Sequence, residues 1–108
     1  MNILKAKIVN NIKLSDNYFV LELLCDPNRN LGMPGQFYQL QYSLDETKLL
    51  IPISIFNIDN NIISFMIKIV GEKTKQLADK KVNDNINIIG PLGNGFDTRL
   101  FENKKQIG

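Results

Sequence analysis

The stretch KLLIPISIFN, residues 48 to 57, is the most informative part of the sequence about fold and function. It combines the composition of a buried β-strand with two residues that such a strand avoids. Pro52 has no backbone N–H to donate to a neighbouring strand, so it is tolerated mainly in edge strands or at irregularities. Ser54 lies two residues further on and therefore faces the same side of the strand as Pro52. One side of the stretch is thus either an imperfect core surface or a surface turned towards a ligand.

The sequence on both sides of this stretch is divided into short runs of β-branched, aromatic and aliphatic residues, separated by turn-forming residues. Strands are predicted over residues 3–14, 18–25, 36–42, 49–58, 62–70 and 86–90. Asp59 to Asn61 predict a tight hairpin between the fourth and the fifth of these strands. The one predicted helix lies within residues 71–81, with Thr74 capping its start. Six short strands at regular spacing predict a closed antiparallel barrel, with a β-sandwich as the alternative.

Composition excludes several classes of chemistry. The 108 residues include no histidine, so Ser-His-Asp and Cys-His catalytic arrangements cannot form. Cys25 is the only cysteine, which excludes an intrachain disulfide and a cysteine-ligated zinc or iron–sulfur site within these residues. The net charge of +2 is too small to indicate nucleic-acid binding. No apolar run is long enough for a membrane span or a signal peptide, so a cytoplasmic location is predicted.

Two glycine-containing segments are candidates for ligand binding on residue chemistry alone. In VGEKTKQL, residues 70–77, Gly71 permits a sharp turn, and the predicted helix start offers N–H groups, the Thr74 hydroxyl and lysine charges to an anion. In GPLGNGFD, residues 90–97, three glycines permit close backbone approach. Both segments also have a structural interpretation, the first as an ordinary helix cap and the second as a sharp turn where the chain leaves the barrel.

A groove is expected where these features meet. The predicted hairpin would bring the strand of Pro52 and Ser54 beside the strand that leads to Gly71. In that arrangement the proline, the serine and the helix start would line one groove, which would suit a flat ring and a phosphate.

Four landmarks follow one another along the chain: PGQF, PISI, VGEKT and GPLGNGFD. In this order and spacing they resemble the FAD-binding barrel of the ferredoxin reductase-like family, and most of all the electron-transfer subunits of class B dihydroorotate dehydrogenases. The resemblance covers residues 5–108. It implies a six-stranded antiparallel Greek-key barrel with one short helix, with FAD along its outside. Residues 1–101 would form this barrel, and residues 102–108 would begin a nucleotide-binding domain that the chain does not contain.

Carried over position by position, the resemblance assigns FAD binding to three segments. The Arg-Pro-x-Ser motif of the family falls on residues 51–54, where Ile51 stands in place of the arginine that holds the phosphates. A strand-end arginine falls on Lys68, and a Gly-Thr pair at the helix start falls on Lys73 and Thr74. The implied FAD-binding residues are Ile51, Pro52, Ile53, Ser54, Met66, Ile67, Lys68, Gly71, Lys73 and Thr74. No catalytic residue and no metal ligand is assigned.

The resemblance also implies a role in electron transfer for pyrimidine biosynthesis. Family members take electrons from NADH on FAD and exchange them, through a [2Fe-2S] cluster, with an FMN-containing dihydroorotate dehydrogenase catalytic subunit, which is the implied partner. With one cysteine, this chain is expected to hold no iron–sulfur cluster and to be inactive as an oxidoreductase on its own. Two rival hypotheses are a barrel that has lost FAD binding and serves as an interaction module, and a small barrel that binds nucleic acid.

Overall fold

The computed structural model of the protein describes residues 3–41 and 50–93. Along the chain, the described elements are β1 (Ile3–Lys13), β2 (Tyr18–Leu24), β3 (Phe37–Gln41), β4 (Leu50–Ser54), β5 (Asn57–Asp59), β6 (Ile62–Lys68), α1 (Glu72–Ala78) and β7 (Asn85–Leu92). The prediction of an all-β domain with one short helix is confirmed. Five of the predicted strands match single strands with ends that differ by two residues at most, whereas the strand predicted over 49–58 is divided into β4 and β5.

The strands form one antiparallel sheet in the order β4-β3-β7-β1-β2-β6-β5. Its two edges, β4 and β5, are consecutive in the chain. The Ile55 N–H donates to the Gln36 carbonyl oxygen at 2.8 Å, beside β3, whereas the N–H of the next residue, Phe56, donates to the Ser64 carbonyl oxygen of β6 at 2.9 Å. The chain therefore crosses from one edge of the sheet to the other between two neighbouring residues, and the sheet wraps around on itself.

This crossing explains why the structure agrees with the predicted barrel in the arrangement of its strands and differs from it in the closure of the sheet. The backbone ladder stays open between β4 and β5, so the sheet has seven hydrogen-bonded strands and is not closed by hydrogen bonds. Counted as one bent strand, β4 and β5 complete the six strands of the predicted Greek-key barrel. Pro52 pairs with Gln39 of β3 and lies in an edge strand, where its missing N–H leaves no neighbouring strand without a donor.

The core of the barrel is built from alternating positions of the strands, as the two-residue period requires. In β1 the buried positions are every second residue from Leu4 to Ile8. Cross-strand pairing aligns the buried positions in rows, for example Ile8 with Leu23 and Leu23 with Ile63. The side chains that are buried completely or almost completely are Ile8, Phe19, Leu21, Leu23, Tyr38, Leu40, Ile63, Phe65, Ile67, Leu77, Ile86 and Ile88.

The helix α1 is anchored to the barrel at its C-terminal end. Leu77 and Ala78 are buried in the core cluster. The Asn11 side-chain amide donates to the carbonyl oxygens of Ala78 and Lys80, at 3.0 and 2.7 Å, and the Lys13 ammonium donates to the Ala78 oxygen at 2.6 Å. These bonds satisfy carbonyl groups that a helix end leaves without partners. The helix therefore has a fixed C-terminal end, and its N-terminal end borders the site described next.

The predicted hairpin at Asp59 to Asn61 is confirmed: Asp59 pairs with Ile62, and Asn60 adopts a positive φ of 57° in the two-residue turn. In the part of the chain that the structure describes, no helix has the length and apolarity needed to cross a membrane. The proposed boundary at residue 101 and the adjacent segment 102–108 lie outside the described residues.

Candidate functional site

A pocket of about 330 Å³ lies between β4 and the segment that joins β6 to α1. Its lining is mostly apolar and consists of Ile51, Val70, Gly71, Glu72, Lys73 and Thr74. The pocket thus collects residues from two sides of the opening between β4 and β6, which approach each other where the backbone ladder is open. It brings together four of the residues that the resemblance assigns to FAD: Ile51, Gly71, Lys73 and Thr74.

Thr74 lies in the first turn of the helix and does not cap it, which corrects the sequence prediction. The helix begins at Glu72, its N-cap is Gly71, and no side chain caps it. The Thr74 hydroxyl accepts a hydrogen bond from the Val70 N–H at 2.8 Å and donates one to the Gly71 carbonyl oxygen at 3.2 Å. Because the only proton of the hydroxyl is already donated, the Thr74 side chain has no proton left to donate to a ligand.

Gly71 leaves space at the mouth of the pocket. Its φ of 172° is an extended conformation that any residue adopts, so the expected sharp turn that requires glycine is absent. A Cβ atom built on Gly71 would have no heavy atom within 4 Å. The space beside Gly71 therefore results from the absence of neighbouring atoms, and not from an unusual backbone conformation.

The charges around the pocket are balanced. Glu72 and Lys73 both line it, so the lining side chains bring one negative and one positive charge. Lys68, the other predicted cation, is not part of the lining. Its ammonium lies 5.9 Å from the centroid of the Tyr18 ring, which belongs to its cross-strand partner, and this distance is typical of a cation–π contact.

The remaining predicted residues of β4 lie outside the pocket lining. Pro52 and Ser54 are exposed on one face of the strand, whereas Ile51 and Ile53 are half-buried on the other face and pack against the core. Only the β5 part of the predicted strand pairs with β6, whereas β4 pairs with β3 and lies near β6 without a backbone ladder. Ile51 therefore contributes to the pocket where Pro52 and Ser54 were expected.

The predicted residues of β6 are divided between the two faces of that strand. Met66 and Lys68 are exposed on the outer face, and Ile67 is buried in the core, so its side chain is not accessible to a ligand. Sequence reasoning did not assign Val70 or Glu72 to the site. Both lie within the VGEKT landmark, so a count of every residue around the helix start would have included them.

The described part of GPLGNGFD has a structural role. Residues 90–92 belong to β7, where Leu92 pairs with Phe37, and the sequence prediction of a loop from residue 91 onwards is corrected to this extent. The Gly93 carbonyl oxygen accepts a hydrogen bond from the Gln36 side-chain amide at 2.8 Å. Residues 94–97 of this landmark lie outside the described residues.

The fold is similar to parts of several solved structures. One is the NADH-dependent reduced ferredoxin-NADP oxidoreductase, with a TM-score of 0.74, 26% identity, and coverage of 85% of this chain and 34% of that chain. Another is the ferredoxin-NADP⁺ reductase of Plasmodium falciparum, with a TM-score of 0.74, 24% identity, and coverage of 95% of this chain and 43% of that chain. The described residues therefore share the barrel fold of these ferredoxin reductases, as the landmarks indicated.

The sequence is similar to electron-transfer subunits of dihydroorotate dehydrogenase B (NAD⁺). It is 39% identical over 101 residues to the subunit of Clostridium acetobutylicum, with coverage of 94% of this chain and 40% of the relative. It is 36% identical over 98 residues to the subunit of Bacillus velezensis, with coverage of 88% of this chain and 38% of the relative. The chain thus spans about two fifths of the length of these relatives. No family model matches the chain.

Proposed function

We propose that the chain is the flavin-binding domain of an electron-transfer subunit, similar to that of dihydroorotate dehydrogenase B, and that its flavin is FAD. The observation that carries this proposal is the similarity to such subunits over 94% of the chain, together with the matching barrel. The pocket supports it, because four of the residues that the resemblance assigns to the cofactor line it.

The outer surface near the pocket offers contacts suited to a flavin. Pro52 and Ser54 on β4 are exposed, as are Met66 and Lys68 on β6, so these side chains are accessible to a ring lying along the barrel. Gly71 leaves room for a ligand to approach the backbone. When bound, a flavin supplies the capacity to accept and donate electrons, and the residues of this chain would bind and orient it.

The wider role is also part of the proposal. The partner would be an FMN-containing dihydroorotate dehydrogenase catalytic subunit, and the electron transfer would serve pyrimidine biosynthesis in the cytoplasm. Since the chain spans about two fifths of the relatives, this activity is assigned to the assembled enzyme.

Titration of FAD into the purified protein, followed by flavin fluorescence, tests the proposal. We expect saturable quenching at micromolar FAD and a yellow protein after removal of free flavin. Absence of binding at several hundred micromolar FAD would overturn the proposal.

The second candidate function is a barrel that has lost FAD binding and acts as an interaction module. Ile51 and Lys73 favour it, since both line the pocket at positions where the resemblance implies an arginine and a glycine. The double variant Ile51→Arg/Lys73→Gly distinguishes the two functions. An added charge-assisted phosphate contact is worth about 1.5–3 kcal/mol, or about ten- to a hundred-fold in FAD affinity. Binding by the double variant alone would support the second function, and riboflavin, which has no phosphate, is the matched control ligand.

A further inference from the structure

We propose that Asn11 and Lys13 are positioning residues for the flavin. By holding the C-terminal end of α1, they fix the wall of the pocket that lies opposite Ile51. This inference rests on the proposed flavin-binding function. It goes further, because neither residue lines the pocket or belongs to the residues that the resemblance assigns to FAD.

The two walls of the pocket belong to parts of the barrel that no backbone ladder joins. One wall is Ile51 of β4, and the other is the segment of residues 70–74, which contains the first turn of α1. Strand β4 pairs with β3, and the ladder between β4 and β6 is open. A Cβ atom on Gly71 would have no heavy atom within 4 Å, so nothing packs against that side of the backbone. The distance between the two walls therefore depends on what holds α1.

Among the described residues, hydrogen bonds hold this segment to the barrel on either side of the pocket wall. Before the wall, the Ile69 N–H donates to the Asn17 carbonyl oxygen at 2.7 Å. Within the wall, the Val70 N–H and the Thr74 hydroxyl form hydrogen bonds inside the segment itself. After the wall, the next hydrogen bonds to the barrel are those that the Ala78 carbonyl oxygen accepts. The wall is thus a span that is held at its two ends.

The far end of this span is held by three hydrogen bonds from β1. The Asn11 side-chain amide donates to the carbonyl oxygens of Ala78 and Lys80, at 3.0 and 2.7 Å. The Lys13 ammonium donates to the Ala78 oxygen at 2.6 Å, and its charge is favourable beside the negative end of the helix dipole. Leu77 adds apolar packing, which has no direction of its own. The directional contacts that set the position of α1 at this end therefore come from Asn11 and Lys13.

Both donors have fixed positions on the barrel. Asn11 pairs with the buried Leu21 of β2, and its buried Oδ1 atom has no hydrogen-bond partner in the part of the chain that the structure describes. Its two donated bonds therefore orient the side chain. Lys13 pairs with the buried Phe19, and its ammonium lies 5.3 Å from the centroid of that ring. Since α1 has seven residues and is only about 10 Å long, a shift at its C-terminal end reaches its first turn.

The FAD affinity of Asn11→Ala, measured by flavin fluorescence, is the primary test. The variant loses both donated bonds, so α1 can shift, and we expect the dissociation constant of FAD to rise about tenfold. Asn10→Ala is the matched control, because the Asn10 amide donates to Glu22 Oε1 of β2 at 2.6 Å and not to α1. We expect the control to change the dissociation constant by less than twofold.

The outcomes separate positioning from a general loss of stability. Lower stability alone leaves the dissociation constant unchanged while the protein stays folded, because the apparent affinity falls only with the fraction of binding-competent molecules. Circular dichroism shows whether each variant is folded. Unchanged FAD binding by folded Asn11→Ala, or equal losses in the two variants, would overturn this inference and leave the proposed function intact. Failure of the unmodified protein to bind FAD would overturn both.

A second pair of variants decides the matter if Asn11→Ala does not fold. Lys13 is exposed, so Lys13→Met removes the ammonium and leaves the core in place. We expect three- to tenfold weaker FAD binding, and faster amide hydrogen exchange in residues 72–78 of the flavin-free protein. Lys13→Arg keeps a cation and hydrogen-bond donors, so its FAD affinity should stay within about twofold of the parent. Equal affinities of the methionine and arginine variants would contradict the inference.

Discussion

Two glycine-containing regions of this barrel are packed in opposite ways. In the Tyr38 cluster, formed by residues 31–38 with residues 90–93, the Tyr38 hydroxyl donates to the Leu31 carbonyl oxygen at 2.8 Å. The Gln36 side chain accepts from the Met33 N–H at 3.0 Å and donates to the Gly93 oxygen at 2.8 Å. In the pocket region the space beside the glycine is open, because a Cβ on Gly71 would meet no heavy atom within 4 Å.

The comparison shows that the role of a glycine in a loop depends on the atoms packed around it. Gly32 has a φ of +97°, and a Cβ built on it would lie 2.6 Å from Gln36 Oε1 and 2.8 Å from Pro91 Cβ. Packing and backbone both require glycine there, whereas neither requires it at Gly71. Space that the protein does not use for its own packing is space that a ligand can use.

The substitution Gly32→Ala is expected to have the largest effect. The added methyl group would overlap Pro91, and the positive φ is unfavourable for alanine, so we expect the free energy of unfolding to fall by about 3 kcal/mol. Urea denaturation followed by circular dichroism measures this loss. A change of less than about 1 kcal/mol would show that the Tyr38 cluster is not as tightly packed in solution as in the structure.

The substitution Tyr38→Phe tests the same cluster, with a smaller expected loss of stability than Gly32→Ala. It keeps the buried ring and its edge-on contact with Phe65, whose centroid lies 6.0 Å away, but removes the donor to the Leu31 oxygen. Loss of one partner of a buried hydrogen bond costs about 1–2 kcal/mol, and we expect that decrease in urea denaturation. Tyr18→Phe is the control, since Tyr18 is exposed. Equal effects of the two substitutions would contradict a special role for the Tyr38 hydroxyl.

High pH should weaken the Tyr38 cluster through two buried acids. Burial raises the pKa of the Cys25 thiol from 9.0 to about 11. Burial, with the negative charge of Cys25 as a second cause, raises the pKa of the Tyr38 hydroxyl from 10.0 to about 12. Because folding favours the protonated forms, their contribution to stability is complete below about pH 9 and is lost as the pH rises through 9 to 12.

The variant Cys25→Ala separates the two titrations. Without the thiol, the decline in the urea midpoint should begin near pH 10, where unfolded tyrosine starts to ionise, and not near pH 9. Urea midpoints of parent and variant at pH 8, 9.5 and 11 provide the comparison. Parallel curves for the two proteins would show that Cys25 does not contribute to the alkaline loss.

The fold could be predicted from the sequence because local patterns determine most of it. The alternation of Leu4, Ala6 and Ile8 with lysines in β1, and the Asp59 to Asn61 turn, depend on neighbours in the chain. The division of residues 49–58 depends on the carbonyl groups of Gln36 and Ser64, which are distant in sequence, so no local pattern shows it.

The site was less predictable because it depends on which faces meet across the barrel. The two-residue period correctly put Pro52 and Ser54 on one face, but it could not show that Ile51, on the other face, is the residue that meets the helix start. The sequence predicts the Thr74 hydroxyl as a binding group for an anion, and this stays a prediction. The structure shows that the helix begins at Glu72, two residues before Thr74. This start places the Thr74 hydroxyl where it donates its proton to the Gly71 carbonyl oxygen.

The substitution Gly71→Ala should change stability least and therefore tests the comparison most directly. The same methyl group that is costly at Gly32 enters open space here, so we expect a loss of less than about 1 kcal/mol, including the weaker N-cap. Because Gly71 lines the pocket, the affinity for both FAD and riboflavin should fall by about threefold. A stability loss as large as that of Gly32→Ala would show that the region around Gly71 is packed after all. Unchanged stability with unchanged affinity for both ligands would place the flavin elsewhere on the barrel, since a methyl group at the mouth of an occupied pocket has to displace part of the ligand.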